Sequence, residues 1–122
     1  MGNDAIKQML TQIEAGCFPE DILVRDLGLD VVAESTGLPI IKMMYEAFSG
    51  SMDAAKGLHE ALLSSWPWSV KTLATGGFHA WTNHAYGLRS LGYTGVASGN
   101  PARAWLIAIL RAIDDATSEA DQ

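Results

Sequence analysis

The spacing of apolar residues changes near Trp66, and this change most restricts the fold that the chain can adopt. Before it, apolar side chains recur at the spacing of one face of an α-helix. After it, residues 68–73 alternate between apolar and polar side chains, which is typical of a half-buried strand. We therefore predict an α+β fold: a helical N-terminal half, then a small antiparallel sheet of about three strands packed between helices, in α-β-α layers.

Glycine and proline mark where the helices begin and end. Gly16, Gly28 and Gly37 are placed to stop helices, and Asn100 followed by Pro101 is placed to start one. Together with the apolar spacing, these signals predict helices over 3–15, 20–27, 29–36, 51–63 and 101–116. In the second half, the pair Gly76-Gly77 favours a hairpin. The predicted strands are 68–73, 78–82 and one within 88–96, with a turn at 83–87.

The length of 122 residues suits a single domain. We divide it into a helical N-terminal segment (1–48), a helix-hairpin-helix α+β core (49–116) and a polar tail (117–122). Within the first segment, residues 38–48 suit either a helix that begins at Pro39 or a strand.

The last predicted helix carries apolar residues on more than one face. Ile107 and Leu110 lie outside its main apolar stripe, so the helix is either nearly buried or has a second apolar contact. Excess apolar surface on residues 38–48 and 105–113 would be costly to leave in water. We therefore expect the chain to form a homodimer.

The charge balance argues against nucleic acid as the expected partner. The net charge is -6, the pI is about 4.8, and the eight Lys and Arg are scattered rather than clustered. Residues 29–45 have the outline of a helix-turn-helix, but the second helix offers Lys42 alone to phosphates. A DNA-binding regulator is kept as an alternative. An acidic surface favours a basic protein surface instead.

Several features predict a protein of the cytoplasm. Cys17 is the single cysteine, so an internal disulfide is excluded. The N-terminal residues form no signal peptide, and no stretch approaches the roughly 20 apolar residues of a membrane span. We expect no association with a membrane.

No set of residues is spaced for catalysis. His59, His79 and His84 have no partners at zinc-binding spacing, so we expect surface or turn histidines. Cys17 has no basic neighbour, which predicts a small buried or unreactive thiol. Glycine-rich phosphate-binding and nucleophile motifs do not occur. We predict a protein that is not an enzyme and needs no cofactor or metal. Glycine-rich turns within 92–101 leave a second alternative, a protein that sequesters a small ligand or nucleotide.

Aromatic and acidic residues are the candidates for a binding surface. Exposed Trp and Tyr mark interfaces, because they bury a large area at low entropic cost. Paired carboxylates near a helix C-terminus oppose the helix dipole, which indicates solvent exposure or a basic partner. The candidate interface residues are Trp66, Trp68, Trp81, Tyr86, Tyr93, Asp114 and Asp115.

Three pieces of the chain, within residues 45–115, together resemble a known family. FSGSMDAAKGLHEALL (48–63) resembles the family's aromatic-x-x-Ser-hydrophobic-Asp-Ala-Ala helix opening, and SSWPWSV (64–70) is similar to its Trp-x-Trp strand entry. GNPARAWLIAILRAI (99–113) is similar to its closing Pro-Ala-x-Ala-Leu helix. The family comprises small phage and prophage proteins of unknown function, of the phage ABA-sandwich type.

The resemblance implies an antiparallel sheet between helical layers, in a protein encoded by a phage or prophage, and it implies no activity. Because fold does not give function, the expected function follows from small size, acidity, aromatic content and missing catalytic motifs. We expect a non-catalytic protein that binds a host protein in the bacterial cytoplasm, for example to inhibit a defence system as an anti-CRISPR does.

Overall fold

Among the residues that the structure describes, four helices precede Trp66 and a sheet follows it, as the change in apolar spacing predicts. The computed structural model describes residues 4–63, 66–74, 77–84, 91–98 and 100–120, with the backbone alone for 83–84, 91–98 and 115–120. The α+β class and the helical N-terminal half are confirmed. In the described chain the elements are α1 (Asp4–Glu14), α2 (Asp30–Thr36), α3 (Ile40–Ser49), α4 (Met52–Leu62), β1 (Trp68–Thr72), β2 (Gly77–His84), β3 (Leu91–Ser98) and α5 (Pro101–Ala120).

The strands form an antiparallel sheet in the order β1-β2-β3. Val70 of β1 pairs with Ala80 of β2, and Ala80 pairs with Gly95 of β3. Because side chains alternate between the two faces of a strand, Phe78, Ala80 and Thr82 share one face. Ala80 and Thr82 are buried there, and Phe78 packs against the hydrophobic core. This face of the sheet lies against α5.

α5 is the centre of the molecule. It packs against the strands on one side and against α1, α3 and α4 on the other. Every residue from Ala104 to Leu110 is buried, which explains why Ile107 and Leu110 lie outside a single stripe. The predicted α-β-α order of layers is wrong, because α5 alone of the described helices packs extensively on the sheet. The observed order is the sheet, then α5, then the remaining helices.

Two predicted boundaries near the ends of the chain differ in outcome. α1 is confirmed: Ile6, Met9 and Ile13 are buried on one face, and Gly16 follows at a φ of 92°. The predicted end of the last helix near residue 116 is too early, because α5 continues through residues 117–120 of the polar tail. Residues 121–122 lie outside the described chain. None of the described helices is long and apolar enough to span a membrane.

The predicted helix over 20–27 is wrong: this segment folds as turns. The Asp26 carboxylate accepts a hydrogen bond from the Leu23 N–H at 2.9 Å, and such side-chain bonds compete with helical ones. Ile22 and Leu27 are nevertheless buried, so the turns are anchored in the core. Residues 38–48, for which the sequence leaves helix or strand open, are helical from Ile40 onward, and this helix, α3, ends at Ser49.

The N-termini of α4 and α5 are capped as their sequences predict. Asn100 Oδ1 accepts from the Arg103 N–H at 3.0 Å, while Asn100 Nδ2 donates to the Phe48 carbonyl at 2.9 Å. The Arg103 guanidinium lies 4.0 Å from the centre of the Phe48 ring, and its Nε donates to the same carbonyl. The end of α3 is thereby fastened to the start of α5.

Removal of the α4 cap gives a first prediction. Ser51 Oγ accepts a hydrogen bond from the Ala54 N–H at 3.1 Å. Ser51→Ala is therefore expected to lower the free energy of unfolding by about 1 kcal/mol, measured by urea denaturation. Ser51→Asp restores an acceptor and serves as the control. An unchanged stability in Ser51→Ala would show that this hydrogen bond does not hold the helix terminus.

Candidate functional site

An open groove of about 640 Å³ lies between the turns at 20–25, α2 and the start of α3. Its volume falls in the range of roughly 300–1,000 Å³ that is typical of binding sites. Leu23, at 50% exposure, stands at its edge and is among the most exposed large apolar side chains of the described chain. The apolar side chains along the groove are Ile22, Leu23, Val24, Ala33, Leu38, Pro39, Ile40 and Ile41.

The groove lies beside α2, a helix without a fully buried residue. No residue of α2 is buried, whereas Leu29 before it is. Gly37 ends the helix in the left-handed region, at a φ of 70°, and turns the chain into α3. Ala33, on the half-buried side of α2, packs against the hydrophobic core and also lines the groove.

Three charged residues also line the groove: Glu20, Arg25 and Lys42. Arg25 and Lys42 are exposed, and neither forms an ion pair with any described residue. An apolar floor with free cations beside it can bind an apolar ligand that carries a carboxylate, through burial of apolar area and charge attraction.

A second cluster joins α4, β1 and α5. The rings of Trp68 and Trp105 lie with centroids 4.1 Å apart, and the His59 ring lies 5.7 Å from that of Trp105. Trp105 is 1% exposed, whereas Trp68 is 42% exposed. Trp68 thus covers the core with one face of its ring and meets solvent elsewhere.

His59 holds this cluster together, and the prediction of a surface or turn histidine is wrong for it. It is 2% exposed, its Nε2 lies 2.8 Å from the Trp66 carbonyl, and its Nδ1 lies 3.2 Å from Trp105 Nε1. An indole nitrogen only donates and a carbonyl only accepts, so His59 is neutral with its proton on Nε2. Burial lowers its pKa below the usual 6.5, against smaller opposing effects of the Trp66 hydrogen bond and the Glu60 charge.

Of the predicted interface tryptophans, the structure brings two together. Trp66, half-buried, and Trp68 both contact His59, whereas Trp81 lies across the strands from Ser69. Since Ala80 and Thr82 face α5, Trp81 points from the other face of the sheet, where it is half-buried.

The remaining interface candidates are divided between described and undescribed parts of the chain. Asp114 is half-buried and lies more than one turn before the end of α5, so of the two alternatives, full exposure to solvent is wrong and a basic partner stays a prediction. Its Oδ1 is buried and has no hydrogen-bond partner among the described residues. Tyr93 pairs with Thr82 in the backbone register. Tyr86 and the side chains of Tyr93 and Asp115 lie outside the described residues.

The other candidates for chemistry stay apart. Within the described residues there is no group of three or more His, Cys, Asp or Glu side chains able to hold a metal ion. His79 is half-buried in β2, and the side chain of His84 lies outside the described residues. Of the two alternatives for Cys17, a buried thiol is wrong because the residue is exposed, and an unreactive thiol stays a prediction.

Two sequence patterns are resolved by the packing. α2 and α3 follow one another across residues 37–39, in the order of a helix-turn-helix, but they do not pack extensively on each other. The exposed side of α3 presents Lys42 beside Tyr45 and Glu46. One cation beside a carboxylate is a poor match to DNA phosphates. The apolar stretch 105–113 is buried apart from Arg111, so it gives no reason for a homodimer.

Sequence reasoning did not identify the groove as a site. The one signal for it in the sequence is the apolar segment 38–48, which predicts excess apolar surface. Leu23 and Arg25 fall within the predicted helix 20–27, and nothing in the sequence singles them out. Comparison of the chain with known protein families, curated proteins and solved structures finds no match.

Proposed function

We propose that this chain is a non-catalytic, phage- or prophage-encoded protein that acts in the bacterial cytoplasm by binding a host protein. The observation that carries the proposal is the open groove, an apolar surface with Leu23 half-exposed at its edge. Exposed apolar area of this kind costs free energy until a partner covers it. The resemblance of residues 45–115 to phage proteins supports the origin, and inhibition of a defence system, as by an anti-CRISPR, is the version we favour.

The surroundings of His59 support a binding role over a catalytic one. A general base needs a free nitrogen within reach of a substrate proton. Both ring nitrogens of His59 are instead occupied, by the Trp66 carbonyl and the Trp105 indole. The one buried histidine among the described residues thus serves packing.

Two alternatives have an observation of their own. The volume of the groove also suits a small ligand, and a nucleotide or metabolite that binds there should raise the melting temperature in a thermal-shift screen. The succession of α2 and α3 is the observation behind a DNA-binding regulator, although Lys42 is the one cation on the exposed side of α3; such a regulator should shift DNA mobility at low salt.

A pair of matched variants tests the binding role. Leu23→Ser removes an apolar side chain from the groove, whereas Val31→Ser removes one that is 71% exposed and does not line it. We expect the wild-type chain and Val31→Ser to retain the same host protein in pull-downs from bacterial lysate. Leu23→Ser should bind it about tenfold more weakly, since about 1–2 kcal/mol of apolar contact is lost.

Stability measurements show whether weaker binding by a variant results from unfolding, and a pull-down with the wild-type chain tests the function itself. Both variants should unfold within about 0.5 kcal/mol of the wild type, because both sites are exposed. If the wild-type chain retains no protein from any bacterial lysate tested, a protein-binding function is contradicted.

A further inference from the structure

The charge along the groove is opposite in sign to the charge of the chain. The sequence has 8 Lys and Arg against 14 Asp and Glu, but the ionisable residues that line the groove are Arg25, Lys42 and Glu20. Because the two cations form no ion pair within the described chain, their charges are available to a ligand. The local excess of positive charge therefore selects a partner with carboxylates beside its apolar part.

We propose that the groove binds an amphipathic helix of a protein partner, with Asp or Glu side chains bordering the apolar face of that helix. The inference rests on the proposed function and names the chemistry of the partner. A helix places apolar residues at i, i+3, i+4 and i+7 along an apolar groove. Its bordering carboxylates then face Arg25 and Lys42.

The openness of the groove favours a helix over a small molecule. A small ligand has roughly 70–90% of its surface buried in a typical pocket. This groove lies open on the surface between two helices and a turn, and Leu23 at its edge is half-exposed. An elongated partner can cover Leu23 and the floor around Ile41 together.

Labelled peptides test whether the groove prefers a helix with carboxylates beside its apolar face. Three fluorescent peptides of about 15 residues, long enough to form a helix, share one leucine face and differ only in bordering Glu, Gln or Lys. Binding to the full chain is measured by fluorescence anisotropy at low and high salt. We expect the Glu peptide to bind most tightly and the Lys peptide most weakly, with a difference that shrinks as salt is added.

Charge-neutralising variants of the chain locate the effect. Arg25→Gln and Lys42→Gln should each weaken binding of the Glu peptide by about two- to fivefold, the range for exposed ion pairs. Neither should change binding of the Gln peptide. Lys7→Gln, on the exposed side of α1 and outside the groove, is the matched control and should leave both affinities unchanged.

Other occupants would overturn the inference. Equal or tighter binding of the Lys peptide, or no binding of any peptide, contradicts it. The inference is also contradicted if dodecanoate, an apolar chain with one carboxylate, raises the melting temperature of the protein and the Glu peptide does not. Self-association of the protein that Leu23→Ser abolishes would contradict it as well. If wild type and Leu23→Ser retain a host protein equally, the groove is not the binding site, but the proposed function still holds. Glu-peptide binding without any host partner overturns the function alone.

Discussion

Replacing Trp105 by alanine is expected to lower the free energy of unfolding by about 3–5 kcal/mol, the range for large buried aromatic residues. Trp105 is 1% exposed in the N-terminal part of α5, and its ring lies against that of Trp68 with centroids 4.1 Å apart. Alanine leaves a cavity between the sheet and α4, and the His59 Nδ1 loses its donor. Urea denaturation followed by circular dichroism measures the change.

Two further variants keep this prediction testable if Trp105→Ala does not fold. Trp105→Phe retains most of the packing but leaves His59 Nδ1 buried without a donor, and it should cost about 1–3 kcal/mol. Trp81→Ala is the control, because Trp81 is half-buried on the sheet face away from α5 and should cost clearly less than Trp105→Ala. Equal losses in Trp81→Ala and Trp105→Ala would contradict the central position of α5.

The elements that the sequence predicts correctly are those whose local signals and tertiary packing agree. In α1, the apolar spacing of Ile6, Met9 and Ile13 is also the spacing of the residues buried in the core. At Asn100, the side chain that caps α5 also bonds the Phe48 carbonyl, so local and long-range contacts favour the same start. Agreement between levels of this kind is what makes a local prediction reliable.

Where packing and local preference disagree, prediction from sequence fails. The turns at 20–27 carry helix-forming residues, but burial of Ile22 and Leu27 and the Asp26 hydrogen bond favour a different path. The predicted order of layers is wrong for a related reason. Apolar residues all around α5 indicate two contacts, yet they do not say which elements supply them.

The groove and the burial of His59 were beyond the reach of sequence patterns. The groove is formed jointly by the turns at 20–25, α2 and the start of α3, and no residue spacing reports how three separate elements are arranged. His59 is adjacent to Glu60 in sequence, which favours a surface position, but its partners Trp66 and Trp105 come from a loop and from α5. Only the fold brings Trp105, 46 residues along the chain, to its ring.

Acid should destabilise the protein through His59. In the folded state burial lowers the pKa of His59 below 6.5, whereas in the unfolded chain it returns to about that value. The unfolded state therefore binds more protons between these two pKa values, and stability is lost as pH falls through that window. One proton corresponds to at most about 1.4 kcal/mol per pH unit. Above pH 6.5 this contribution to stability is fully present.

The hydrogen bonds of His59 also indicate that its protonation destabilises the folded protein. A proton on Nδ1 would set two donors, His59 Nδ1 and Trp105 Nε1, against each other at 3.2 Å. His59→Gln is the matched variant, because its side-chain amide can donate to the Trp66 carbonyl and does not titrate. We expect urea denaturation between about pH 7.5 and pH 5 to show a decline in the wild type that His59→Gln lacks. Parallel curves for the two proteins would mean that His59 accepts a proton in the folded state as readily as in the unfolded one.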